Sequence, residues 1–212
     1  FPKMGFLEYD DMDKMGLQHE GWGAPDSKVF DYTLDKLKGQ QEPFLYYVIT
    51  MSSHGPFTNA RNYYNNSDYD DIKDETVRNY FNSISYVDQA IKDFVTGIRS
   101  QHNNTYIFIW GDHTPGINTD MYKQASFIQD EKYFEFTPLI IITPDNRSYI
   151  ETKKVASFLD IAPTVLYASG VPFSEKTDGL NLLDQANTDG KIHFKGSDYD
   201  RYYLFNKITG EN

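Results

Sequence analysis

The longest regular pattern in the chain covers residues 77–98, where Tyr80, Phe81, Ile84, Val87, Ile91, Phe94 and Val95 recur at three- and four-residue intervals. That spacing follows the 3.6-residue period of an α-helix with one apolar face, so the segment must lie against other elements. Residues 106–110 and 138–143 are apolar runs of strand length, ended by Gly111-Asp112-His113 and Pro144-Asp145-Asn146. A third such run, residues 44–50, ends in the polar turn Ser52-Ser53-His54-Gly55-Pro56.

Two further helices are predicted. Asp26 can cap one that carries Val29, Phe30, Leu34 and Leu37 and stops at Gly39. Asp160 can cap another with Pro163 in its first turn and Gly170 as its stop. Helices alternating with strands predict an α/β fold, a parallel sheet flanked by helices, with active groups in loops beyond the carboxyl ends of strands. Residues 59–74, rich in Asn, Asp and Tyr, read as an irregular surface loop, and residues 193–208 as a short peripheral strand or hairpin.

Composition narrows the chemistry. The 212 residues suffice for one sizeable core, and no Pro/Gly/Ser-rich linker divides them, which predicts one compact unit. With 20 basic against 31 acidic residues, the net charge of −11 has the wrong sign for a general nucleic-acid binder. An anionic substrate therefore needs local compensation, such as a cation. The absence of cysteine excludes disulfides, thiolate metal ligands and thiol nucleophiles together.

The strongly apolar stretch at 139–142 falls far short of the roughly 20 residues of a spanning helix, and no secretory signal pattern is visible. The 17 tyrosines and 15 phenylalanines are read first as packing.

Two loops carry candidate chemistry. At a strand end the backbone can turn and bring the adjacent side chains of Asp112 and His113 towards one ion, and Gly111 eases the close approach. A carboxylate oxygen with an imidazole nitrogen suits manganese or zinc, and magnesium somewhat less. The plainer alternative is a turn begun by Asp112, with His113 donating a hydrogen bond. His54 can bind a phosphate oxygen or pass a proton to a leaving alcohol, or sit in an ordinary polar turn.

Asp88, near the apolar face of the long helix, predicts a buried hydrogen bond or ion pair. Trp22 and Asp26 are read as organising a turn and a helix start, and Arg61 as a solvated loop residue. His19, His102 and His193 have no supporting motif. No Gly-x-Ser-x-Gly elbow is present, which argues against a serine hydrolase.

Four segments in order then resemble a known family. Residues 47–57 (Tyr-Val-Ile-Thr-Met-Ser-Ser-His-Gly-Pro-Phe) are similar to the strand and His-containing loop of lipoteichoic acid synthases and related phosphoglycerol transferases. Residues 86–91 (Tyr-Val-Asp-Gln-Ala-Ile) resemble that family's helix, Trp110-Gly111-Asp112-His113 its metal motif, and residues 160–166 its Asp-x-x-Pro-Thr helix.

The resemblance places the family in the alkaline phosphatase and sulfatase superfamily. It implies a sulfatase-like, mainly parallel sheet flanked by helices with a small C-terminal β element. Residues 1–212 would form the C-terminal part of a single extracytoplasmic catalytic domain. It implies one divalent ion, Mn2+ or Mg2+, held by Asp112 and His113, and substrate contact by His54.

The family's nucleophilic threonine lies upstream of the matched region, so the resemblance assigns no catalytic nucleophile within this chain. The implied reaction is transfer of glycerol phosphate from a phosphatidylglycerol-type lipid to a lipoteichoic acid or related polymer. The implied partners are an anionic phospholipid headgroup, a glycerol phosphate polymer and the upstream segment of the same domain. The implied location is the cell surface, membrane-anchored in the full-length protein or released. Alternatives are another superfamily enzyme (phosphoethanolamine transferase, sulfatase or phosphodiesterase) or a noncatalytic module that binds envelope polymers.

Overall fold

In the structure, a computed structural model, the periodic segment forms α3, Glu75–Gln101, 27 residues and about 40 Å long at 1.5 Å per residue. It starts where Asp74 caps it, the carboxylate accepting the N–H groups of Thr76 (2.9 Å) and Val77 (3.1 Å). The structure describes residues 3, 5–58, 63–117, 126–129, 132–145, 155–172, 177–184, 191–194, 196–201, 203, 204 and 206. Arg61 and Asn146 lie outside the described residues, as does most of the tail beyond 201.

The described helices are completed by α1 (Met12–Met15), α2 (Asp26–Leu37) and α4 (Ile161–Ala168). The strands are β1 (Ile107–Trp110), β2 (Ser126–Gln129), β3 (Lys132–Glu135), β4 (Leu139–Ile142), β5 (Lys191–Phe194) and β6 (Ser197–Asp200). They pair as three two-stranded sheets, β1 with β4, β2 with β3 and β5 with β6. The fold is α/β, and β1 and β4 fall where the apolar runs predict them.

The two pairs with a described register, β2–β3 and β5–β6, are antiparallel hairpins. One expectation needs correction: residues 44–50, predicted as a strand, have no regular secondary structure and pair with none of the described strands. Their apolar side chains have little to pack on here, with Leu45 64%, Tyr47 50% and Ile49 57% exposed. An apolar run becomes a strand only when a neighbour takes up its backbone groups.

The chain forms two compact units, one of residues 1–105 and 110–139, the other of residues 106–109 and 140–212. In the first, α2 packs on α3: Phe30 stacks on Phe94 with centroids 4.5 Å apart, and Leu34 sits so close to Gly97 that a Cβ there would lie 2.7 Å from it. Tyr86 Oη donates to Ser27 Oγ (2.9 Å) and accepts the Ser27 N–H (3.2 Å), fixing the start of α2 to the middle of α3. Asp88 is exposed, contrary to expectation; the buried polar groups of α3 are Asn79, Asn82 and Ser83.

In the second unit the fully buried Asp160 is the hub. Its carboxylate accepts two bonds from the Arg201 guanidinium (both 2.7 Å), the Ser157 N–H (2.7 Å) and the Leu180 N–H (2.8 Å). Asp160 takes the cap position of α4, as the sequence predicts, but its side chain makes no capping bond and ties three separate stretches of chain together.

Candidate active site

The His54 turn is built by its own backbone and locked from a distance. His54 N–H donates to the Met51 carbonyl (3.0 Å) and Phe57 N–H to the His54 carbonyl (3.3 Å). Asp26, read from the sequence as a helix cap, uses its side chain differently. Pro25 occupies the cap position, and Asp26 Oδ1 accepts the N–H groups of Met51 (3.0 Å) and Ser52 (2.9 Å). Ser52 Oγ in turn accepts the Asp26 N–H (3.0 Å).

Burial pushes the Asp26 carboxyl above its ordinary 3.8, opposed by the N–H groups of Ser52 and Met51 and the hydroxyls of Ser52 and Thr50. Its other oxygen, Oδ2, is buried without a hydrogen-bond partner. A buried carboxylate is thus committed to holding one end of the turn that carries His54.

The other end is held by Phe57. It is the one non-glycine residue with positive φ (64°) among the described residues, a conformation that costs an L-residue roughly 1–2 kcal/mol. Packing offsets that cost: the ring is buried against Val77 and Ile117 and meets Tyr80 edge-on at 5.2 Å. Ile117 follows the Asp112-His113 loop, so both candidate loops are rooted in one apolar cluster on α3. Tyr47, before the His54 turn, also stacks on Trp110 at the end of β1, centroids 5.8 Å apart.

At the end of β1, Gly111 N–H donates to the Pro138 carbonyl (3.3 Å), and a Cβ at Gly111 would lie 3.2 Å from that of Thr137. Asp112 and His113 then project into solvent, 86% and 62% exposed, with His113 Nε2 3.8 Å from Asp112 Oδ1. His113 Nδ1 is committed to the Thr114 carbonyl (2.8 Å), which places the imidazole lone pair on Nε2, the nitrogen beside the Asp112 carboxylate. Thr114 Oγ1 donates to Glu135 Oε2 (2.5 Å), bracing the loop from β3.

The Thr114 contact, the Asp112 charge and Glu135 raise the His113 pKa above its ordinary 6.5. Nothing in the sequence spacing marked Thr114 or Glu135, because their contact joins positions 21 residues apart.

These residues fit a divalent ion as two members of its ligand set: a hard carboxylate oxygen and an imidazole whose other nitrogen is already held by a carbonyl, a common arrangement in metal sites. No group of three or more His, Cys, Asp or Glu side chains converges among the described residues. His54 lies in contact with Trp22, its ring stacked at 4.5 Å, and is joined to the Asp112-His113 loop through the shared cluster.

A protein-family model described as Sulfatase matches residues 4–171. The chain is similar to lipoteichoic acid synthase 1 of Bacillus subtilis (22% identity, 94% of this chain, 33% of the relative). It is also similar to lipoteichoic acid synthase 2 of the same organism (26%, 96% and 32%) and to the lipoteichoic acid synthase of Staphylococcus saprophyticus (25%, 90% and 30%). The chain spans about a third of the length of these relatives. The matched span contains His54, Asp112, His113 and the Asp160 hub, and the chain belongs to the sulfatase family.

Proposed function

We propose that this segment is the C-terminal part of an extracytoplasmic phosphoglycerol transferase. The reaction moves glycerol phosphate from a phosphatidylglycerol-type lipid to a lipoteichoic acid or related envelope polymer, through a phosphothreonine whose threonine lies upstream. The similarity to lipoteichoic acid synthases over most of the chain supports the reaction class. The observation that carries the site is the joint rooting of the His54 and Asp112-His113 loops, through Phe57 and Ile117, in one buried cluster.

In this reading Asp112 and His113 Nε2 hold one Mn2+ or Mg2+, which when bound lowers the pKa of the attacking hydroxyl and offsets phosphoryl charge. His54 contacts the transferred group. The chain's net charge of −11 disfavours an anionic headgroup at long range, so local cationic groups must attract it.

The upstream part of the domain is the expected partner of segment 44–50. A groove of about 700 Å3 lies along it, walled by Phe44, Leu45, Tyr47 and Ile49 with Phe6 and Tyr9. A strand from upstream laid there would cover side chains now exposed. No helix among the described residues is long and apolar enough to cross a membrane.

The test is turnover of the full-length protein on phosphatidylglycerol, phosphatidylethanolamine and sulfate esters. Diacylglycerol release that needs Mn2+ and is lost in Asp112→Ala and His113→Ala is the expected result. A preference for sulfate esters or phosphatidylethanolamine moves the assignment elsewhere in the superfamily. Polymer binding without turnover and unaffected by chelator makes it a binding module.

A further inference from the structure

Trp22 is 67% exposed, so burial does not account for the placement of this large aromatic side chain. Its position is nonetheless specified. The Glu20 N–H donates to the Gly23 carbonyl (2.7 Å), closing a tight turn in which Gly21 takes a φ of 74° that only glycine adopts freely. Gly23 is pressed on the His54 loop so closely that a Cβ would lie 2.8 Å from that of Met51. The turn presents the Trp22 indole to the His54 imidazole at 4.5 Å between centroids and 28° between planes.

Beneath the pair is a cavity of about 20 Å3, edged by Glu20, Ser52 and Tyr63 and large enough for one water or hydroxyl. His54 Nδ1 is engaged with its neighbour's Gly55 carbonyl (2.9 Å), leaving Nε2 for a ligand oxygen. Stacking settles the remaining freedom of the ring, its rotation about the side-chain bonds.

We propose that Trp22 is a positioning residue for His54, its indole fixing the imidazole plane so that Nε2 is aimed at an oxygen of the transferred group. The proposal rests on the reading that His54 contacts the transferred group, and adds the residue that aims it. Asp26 fixes the backbone of the turn; Trp22 fixes the side chain. The role belongs to the aromatic face, so phenylalanine should replace tryptophan and leucine should not.

The test has two arms. In the first, histidine-labelled chain is followed by NMR, with His54→Gln assigning the His54 ring signals and His102 serving as a folding control. Ring-current displacement of the His54 signals is expected in the native chain, retained in Trp22→Phe and lost in Trp22→Leu with His102 unmoved. His54 signals identical in native protein and Trp22→Leu overturn the stacking.

In the second arm, donor turnover of the full-length protein is measured. Trp22→Leu should lower kcat/KM by about three- to tenfold, the range of a stacking contact, with Trp22→Phe close to native. Added to His54→Gln it should cost nothing further. Additive losses overturn positioning through His54. Unchanged turnover in His54→Gln alone overturns the substrate role of His54 and the functional half of the proposal, while the NMR arm still decides the stacking.

Discussion

Phe57 and Ile117 pack in one buried cluster with Val77, although each ends a different candidate loop. Both are 7% exposed, and each lies within four residues of a candidate site histidine, His54 in one loop and His113 in the other. The chain's two strongest motifs are far apart in sequence, so their common anchorage comes from packing on α3. Phe57 also holds a left-handed backbone that its buried ring sustains, which makes the cluster a clamp on the His54 turn as well as a core.

Ile117→Ala should therefore do more than open a cavity. A cost of about 2–3 kcal/mol is expected for a nearly buried isoleucine at this site. Hydrogen exchange should quicken in both the 51–57 and the 111–116 segments. Faster exchange confined to the second loop refutes the shared anchorage.

Metal affinity should depend on pH through His113. Its pKa is raised, chiefly by the Thr114 contact and the Asp112 charge, and a proton competes with the ion for Nε2. Mn2+ binding should weaken as pH falls through that raised value, and His113→Asn should bind weakly at every pH without the same dependence. Removing the brace with Glu135→Ala, which leaves Thr114 without its acceptor, should weaken Mn2+ binding about tenfold, as loss of a group that orients a ligand does. Calorimetric titration across pH measures all three.

Asp26 should lower stability as pH rises. Its folded-state pKa lies above the unfolded 3.8, so the folded chain holds the proton more tightly and the contribution is greatest below 3.8. It declines as pH climbs through the raised value. Asp26→Asn keeps an acceptor for the Met51 and Ser52 N–H groups and removes the charge. It should match or exceed the native chain at about pH 7 and lose that advantage near about pH 4. Asp26→Ala leaves both N–H groups without their acceptor and should cost about 1–3 kcal/mol. Urea midpoints decide it: a native chain that gains on Asp26→Asn with rising pH contradicts the assignment.

What was legible in the sequence was what repeats locally. The α3 helix declares itself by period, β1 and β4 by apolar runs, and the His54 and Asp112-His113 loops by polar turns after such runs. The segment 44–50 has the same appearance as β1, yet a strand exists only with a neighbour to pair with. The β2–β3 hairpin escaped notice because Phe127-Ile128 and Tyr133-Phe134 are adjacent pairs and do not alternate along the strand. Asp26 and Asp160 were both read as caps of the helices beside them, while their carboxylates act on Met51, Ser52, Leu180 and Arg201. No local pattern encodes a partner 20 to 41 residues away.

The Asp160 hub gives the sharpest stability test. Arg201 satisfies both carboxylate oxygens, and Arg201→Ala leaves a fully buried charge uncompensated, a loss of about 3–5 kcal/mol. Gly179 guards the same hub by shape. A Cβ there would lie 1.9 Å from the Leu159 carbonyl oxygen and 2.9 Å from the Asp160 nitrogen, all backbone that cannot swing aside. Gly179→Ala must push the chain off Asp160, breaking the Leu180 N–H bond to its carboxylate, and should cost about 3–4 kcal/mol. Gly39→Ala, with open space around it, should stay within about 0.5 kcal/mol. Because both damaging changes act through Asp160, the double variant should lose clearly less than the sum of the two. Additive losses in urea unfolding show that Gly179 and Arg201 stabilise the unit independently and that Asp160 does not join them.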